Sequence, residues 1–164
     1  MLALATIQKH QSGYSAQFTC PLSHAISEVW AVLTDNGKLQ KWMSNLEMVD
    51  LKKNGNMRFN MNDGTDAFIE MAITDYMEQE VLEFEWGKDS VRFMLSPTSD
   101  GSILSLRETI GQLSDHTPKD LAGWHICLEQ LSDLLNGIVH KEFPMEAWQN
   151  RVAEYTLLVD EAEK

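Results

Sequence analysis

The sequence predicts an α+β fold: a curved antiparallel sheet of six to seven strands gripping a long C-terminal helix. Two short helices follow the first strand, and an extra helix ends the chain. Three observations carry this. First, from Leu46 to Ile110 apolar residues recur at every second position in short runs, separated by turn signals such as Asn54-Gly55-Asn56, Asp63-Gly64 and Gly87-Lys88-Asp89. Connections that short leave no room for a crossover, so the strands are antiparallel. Second, the period changes to three and four from Thr117 to Ile138, where Trp124, Leu128, Leu131, Leu135 and Ile138 share one broad apolar face. Third, Met145, Trp148, Val152, Tyr155 and Val159 repeat that period in the last segment.

The elements follow in order. Residues 1–13 are weakly patterned and read as a loose or partly helical lead-in. Tyr14, Ala16, Phe18 and Cys20 alternate with polar neighbours, a half-buried strand that Pro21 ends. Ser23 can cap a helix to about Leu33, with Ile26, Val29, Trp30 and Leu33 on one side. Thr34-Asp35-Asn36-Gly37 breaks it, and Leu39 to Met43 fits one more helical turn. Strands follow at Leu46–Leu51, Met57–Met61, Ala67–Met77, Val81–Trp86, Val91–Leu95 and Ile103–Ile110. Thr117 can cap the long helix, and Pro118 suits its first turn, where a missing N–H does no harm. Asp120 places negative charge at the positive end of the helix dipole.

At 164 residues, 43% hydrophobic and 23% charged, the chain fits one globular domain. Its formal net charge of −12 disfavours nucleic acid or an anionic membrane as partner. Cys20 and Cys127 lie in apolar-periodic segments without metal-ligand spacing and read as buried thiols. The histidines are scattered, so no metal site is expected, and no motif calls for a cofactor. Residues 1–11 lack the basic and apolar regions of a signal peptide, and no run is long enough to span a membrane. The cytoplasm is the compartment these absences suggest.

Four segments, taken together, resemble the START-like helix-grip superfamily (SRPBCC, or Bet v 1-like), which includes the birch-pollen allergen and the polyketide cyclases. They are Pro21…Val29-Trp30…Leu33-Thr34-Asp35…Leu39-Gln40-Lys41-Trp42; Gly55 to Gly64; Leu82-Glu83-Phe84-Glu85-Trp86; and Gly101 to Leu106 followed by Gly123-Trp124 and the Leu128, Leu131, Leu135 spacing. Within the superfamily the chain is similar to the branch named for the C-terminal domain of the heat-shock ATPase activator. The resemblance covers about residues 14–140, leaving 141–164 as a helical extension beyond the usual domain end. It implies a cavity between sheet and long helix. It also implies three functional classes: a carrier of a small apolar or aromatic molecule, a co-chaperone-like partner of a chaperone, and a cyclase- or hydrolase-like enzyme. Many relatives have a histidine on the last strand where this chain has Glu108.

Glu108 is the polar residue of most interest. It shares parity with Leu104 and Leu106 and should face inward, while Arg107 points away. Enclosed there, its pKa should rise, which suits a general acid or base. The residues expected to line a cavity are Trp30, Trp42, Phe59, Ile73, Phe84, Trp86, Phe93, Leu106, Glu108, Trp124, Leu128 and Leu131. Glu70 reads as a solvated strand residue, entering the cavity only if the opposite face of its strand, with Phe68 and Tyr76, turns inward. His125 falls at the edge of the long helix's apolar face, where it should be exposed or marginal. The last helix either packs back on the domain or makes a homodimer through Met145, Trp148, Val152 and Tyr155.

Overall fold

The computed structural model describes residues 2–164. Eight strands form one antiparallel sheet: β1 (Thr6–His10), β2 (Gly13–Leu22), β3 (Leu46–Asp50), β4 (Asn56–Asn60), β5 (Phe68–Met77), β6 (Val81–Trp86), β7 (Asp89–Thr98) and β8 (Gly101–Ile110). Their spatial order is β1-β2-β8-β7-β6-β5-β4-β3. Strands β3 to β8 are a hairpin meander. The first long strand, β2, returns beside the last. Helices α1 (Ile26–Thr34) and α2 (Asn36–Trp42) carry the chain from β2 to the far edge. Helix α3 (Thr117–Leu135) lies across the inner face, and α4 (Met145–Glu163) packs on α3.

Register fixes what faces inward. Phe18, Leu106 and Phe93 lie side by side across β2, β8 and β7, with Cys20, Leu104 and Leu95 as the next row. Because side chains alternate along each strand, these rows form one apolar surface. Strand β5 breaks the alternation: its register shifts between Ile73 and Asp75. The bulge lets Ile73 and Tyr76 both turn inward. Tyr76 then meets Trp30 at 5.9 Å between ring centroids. On the outer face Asp75 accepts from Arg92 at 2.8 Å, which holds its carboxyl below the usual range.

Helix α3 buries residues on two sides. Leu121, Trp124, Leu128 and Leu131 meet the sheet, and α4 covers the opposite side. The helix ends at Leu135, short of Ile138. Gly137, at φ 85°, donates to Leu134 O, and Ile138 N donates to Asp133 O, closing the last turn in the glycine-dependent way. Ile138 is left exposed.

Several local expectations are corrected. Among residues 2–13, Thr6–His10 form a strand paired with β2, not a loose or helical segment; residue 1 lies outside the described residues. The hairpin needs glycine at position 13, where φ is 144° and a Cβ would run into Ile110 O. Pro21 does not end β2, which continues to Leu22 beside β8. Helix α1 begins at Ile26 with Ala25, not Ser23, at its cap, and Asn36-Gly37 starts α2. Thr117 is the first residue of α3, and its hydroxyl accepts from Ser114 N in the preceding turn.

Candidate functional site

The inward row of β8 continues past Leu106 to Glu108 and Ile110, where the first turn of α3 arrives. Ala16 on β2 and Val91 on β7 flank Glu108, and both are fully buried. Glu108 is itself only 2% exposed, and its Oε1 has no hydrogen-bond partner among the described residues. Burial, reinforced by the neighbouring Asp120 carboxyl and then by Asp89, pushes its pKa up to about 10. Glu108 is therefore a neutral carboxylic acid near pH 7, able to donate a hydrogen bond.

Its surroundings are fixed from two elements. Trp86, last on β6, donates its indole N–H to Asp120 Oδ1 at 2.9 Å and so ties the sheet to the first turn of α3. Asp89, first on β7, accepts from Gly111 N at 3.0 Å. The Trp86 ring lies 5.6 Å from Phe59 and 4.9 Å from Trp124. Between these groups lies an open cavity of about 870 Å³, lined by Phe59, Ile69, Met71, Trp86, Gly87, Lys88, Asp89, Glu108, Ile110, Gly111, Gln112, Leu113, Ser114, His116, Thr117 and Asp120. That is room for a small organic molecule, with apolar walls and a few convergent polar groups.

Of the residues expected to line a cavity, the structure brings Phe59, Trp86 and Glu108 together on its wall. Trp30, Trp42, Ile73, Phe84, Phe93, Leu106, Trp124, Leu128 and Leu131 are buried in the core and do not line it. The reason is that the grip closes under the middle of α3. Phe93 contacts Trp42 at 6.4 Å, Phe84 at 6.2 Å and Trp124 at 5.9 Å between ring centroids. The larger space lies where the sheet outruns the start of the helix, and Leu128 borders a smaller cleft beside β2. Asp89, Ile110, Leu113 and Asp120 were not anticipated. The signal for Asp120 was its first-turn position, since that turn must face the end of β8.

Glu70 is exposed and accepts from Asn56 Nδ2 at 2.8 Å, on the outer face. His125 is fully buried, contrary to expectation. Helix α4 covers it, and its Nδ1 lies 2.9 Å from the Tyr155 hydroxyl, which also accepts from Ala5 N at 2.9 Å. The phenol proton is thus directed to Nδ1, leaving the ring proton on Nε2. Burial first, and Arg151 second, lower the His125 pKa to about 4. Tyr155 is completely enclosed in this way and unavailable to a twin while α4 stays docked, whereas Met145 is exposed. Both cysteines are free and buried. Among the described residues no group of His, Cys, Asp and Glu is arranged to hold a metal, and no helix is long and apolar enough to cross a membrane. A smaller cleft of about 350 Å³ lies between β2, α3 and the segment before α4. There His140 is already paired with Asp133 at 2.7 Å.

No curated protein matches the sequence. Among solved structures, a conserved protein of unknown function from Enterococcus faecalis, EF2215, is 25% identical, with a TM-score of 0.78 over 94% of this chain and 91% of that one. CalU16 from Micromonospora echinospora is 23% identical, with a TM-score of 0.74 over 97% of both chains. DynU16, a putative protein in the dynemicin biosynthetic locus, is 18% identical, with a TM-score of 0.65 over 74% of this chain and 47% of that one. The last two show the shared fold. Residues 23–136, more than half of the chain, match the model of one family, and the chain belongs to it: the Activator of Hsp90 ATPase homolog 1-like proteins, of START-like helix-grip fold.

Proposed function

We propose that this chain is a binding protein for a small, largely aromatic molecule held in the cavity between the ends of β6–β8 and the start of α3. The observation that carries this reading is Glu108. A buried polar atom without a partner costs about 1–3 kcal/mol, and here Glu108 lies on the wall of a space of about 870 Å³, with Oε1 just beneath the wall surface. A ligand group that meets Glu108 recovers that cost. Phe59 and Trp86 offer flat apolar surface beside it, and Ile69, Met71, Ile110 and Leu113 complete the walls.

The test is native mass spectrometry of the chain with a library of flat hydrophobic compounds, with quenching of Trp fluorescence as the second readout. A one-to-one complex that is lost in Phe59→Ala and Trp86→Ala supports the reading. Retention of the same affinity in both variants, or no binder at all, overturns it.

A further inference from the structure

The polar chemistry of the cavity has a sign. Three carboxyl groups converge on it from different elements: Asp89 from the start of β7, Glu108 from the end of β8 and Asp120 from the first turn of α3. Among the described residues the basic groups on the wall are Lys88 and His116, both exposed. Asp120 and Asp89 have donors already, in Trp86 Nε1 and Gly111 N, and each keeps further acceptor capacity. Glu108 Oε1 has no hydrogen-bond partner among the described residues. The space therefore holds an excess of hydrogen-bond acceptors beside the aromatic rings of Phe59 and Trp86.

We infer that the ligand of this cavity is an aromatic or apolar molecule carrying a basic amine, with its ammonium group seated among Glu108, Asp120 and Asp89. This rests on the cavity being the ligand site. An ammonium brings N–H donors and no acceptor, which complements the three carboxyls. A ligand carboxylate or phosphate would instead face like charges at close range. A neutral carbonyl would take one hydrogen bond from Glu108 and leave the remaining acceptors unmet. The ring faces of Trp86 and Phe59 add attraction for a cation, and the overall charge of −12 favours its approach.

Binding of an ammonium at this site moves a proton, whereas binding of a neutral ligand does not. Glu108 holds its proton while the cavity has no cation; an ammonium beside it favours the carboxylate. Binding then releases up to one proton to solvent as the ion pair forms. The groups facing this exchange are Asp120 and Asp89, which oppose ionisation of Glu108, and the exposed Lys88 and His116.

The test is isothermal calorimetry on the full chain at about pH 8, in buffers of different ionisation enthalpy. The probes are 2-(1-naphthyl)ethylamine, its N-acetyl derivative and 3-(1-naphthyl)propionate. The inference expects the amine to bind at least about tenfold more tightly than the amide, a difference of about 1.4 kcal/mol, and the carboxylate not to bind. It also expects net proton release with the amine alone. In Glu108→Gln the amine-to-amide ratio should fall toward one and the proton release should vanish. Equal or tighter binding of the amide or the carboxylate overturns the amine inference and leaves the cavity reading standing. Amine binding without proton release overturns it too. Failure of all three probes, with no competitor found in the hydrophobic library, removes both.

Discussion

Two buried polar clusters lie on opposite sides of α3, and they are built differently. On the side facing α4, His125, Tyr155 and Ala5 form a short relay joined by hydrogen bonds of 2.9 Å and packed against Phe18; His125 Nε2 has no hydrogen-bond partner among the described residues, the Glu129 carboxylate lying 3.8 Å away. At the start of the same helix, Glu108 is equally enclosed by protein; the Asp120 carboxyl is within hydrogen-bonding reach, and Oε1 has no partner among the described residues. The first cluster fastens α4 and β1 to the domain. The second has the form of a site that is stabilised from outside. Polar groups bonded to each other within the chain contribute to the fold; an unmet one lowers stability, and of the two here only Glu108, not His125 Nε2, lies beside the large cavity where a ligand can meet it.

The sharpest way to break that comparison is to remove the fastening. Tyr155→Ala should cost about 3–5 kcal/mol, the usual range for deleting a buried aromatic ring, read as a lower urea midpoint. A loss below about 1 kcal/mol would mean that α4 is only loosely attached. Glu108→Gln should act in the opposite direction. As pH rises above the ordinary carboxyl value of about 4.5, the unfolded chain loses the Glu108 proton while the folded chain keeps it up to about 10. Stability of the native protein therefore falls with pH through that window, by up to about 1.4 kcal/mol per pH unit. The glutamine variant lacks this slope, so its melting temperature should exceed the parent's by a margin that grows from pH 5 to pH 9.

His125 gives the complementary acid response. Its folded pKa near 4 lies below the unfolded value of 6.5, so the unfolded chain takes up a proton first as pH falls. The stability that depends on neutral imidazole is complete above about pH 6.5 and is lost on descending to about 4. Tyr155→Phe, which strips the relay of its hydroxyl and leaves Ala5 N–H and His125 Nδ1 unmet, should cost about 1–3 kcal/mol at neutral pH. The smallest effect belongs to Trp86→Phe. It leaves a smaller aromatic ring and deletes the donor to Asp120, for a loss of about 1–2 kcal/mol, measured by urea unfolding.

The fold was legible because its signals are periodic. Alternation from Met57 to Ile110 set the strands, and the three-four spacing from Trp124 to Leu131 set the helix. The inward parity of Glu108 followed from Leu104 and Leu106 alone. What the sequence did not reveal depended on contacts between distant segments. His125 looks marginal on a helical wheel because a wheel shows one buried face, and α3 has two. The strand at Thr6–His10 is patterned weakly because most of it faces solvent at the sheet edge. The inward turn of Tyr76 depends on a one-residue bulge that shifts parity without marking the composition. The cavity wall was read too widely for a related reason. Aromatic residues that fill a core and those that line a space have the same spacing; only the closure around Phe93 separates Trp42 and Trp124 from Trp86 and Phe59.

The central claim is that Glu108 is a neutral acid beside Asp120, with Oε1 unmet, at the edge of a ligand cavity. A ¹³C titration of its side-chain carboxyl, assigned by comparison with Glu108→Gln and followed from about pH 4 to pH 11, tests it most directly. The account predicts a carboxyl that stays protonated through neutral pH and ionises only in the alkaline range, near 10. A carboxyl already ionised at pH 7 in the unliganded protein would contradict it.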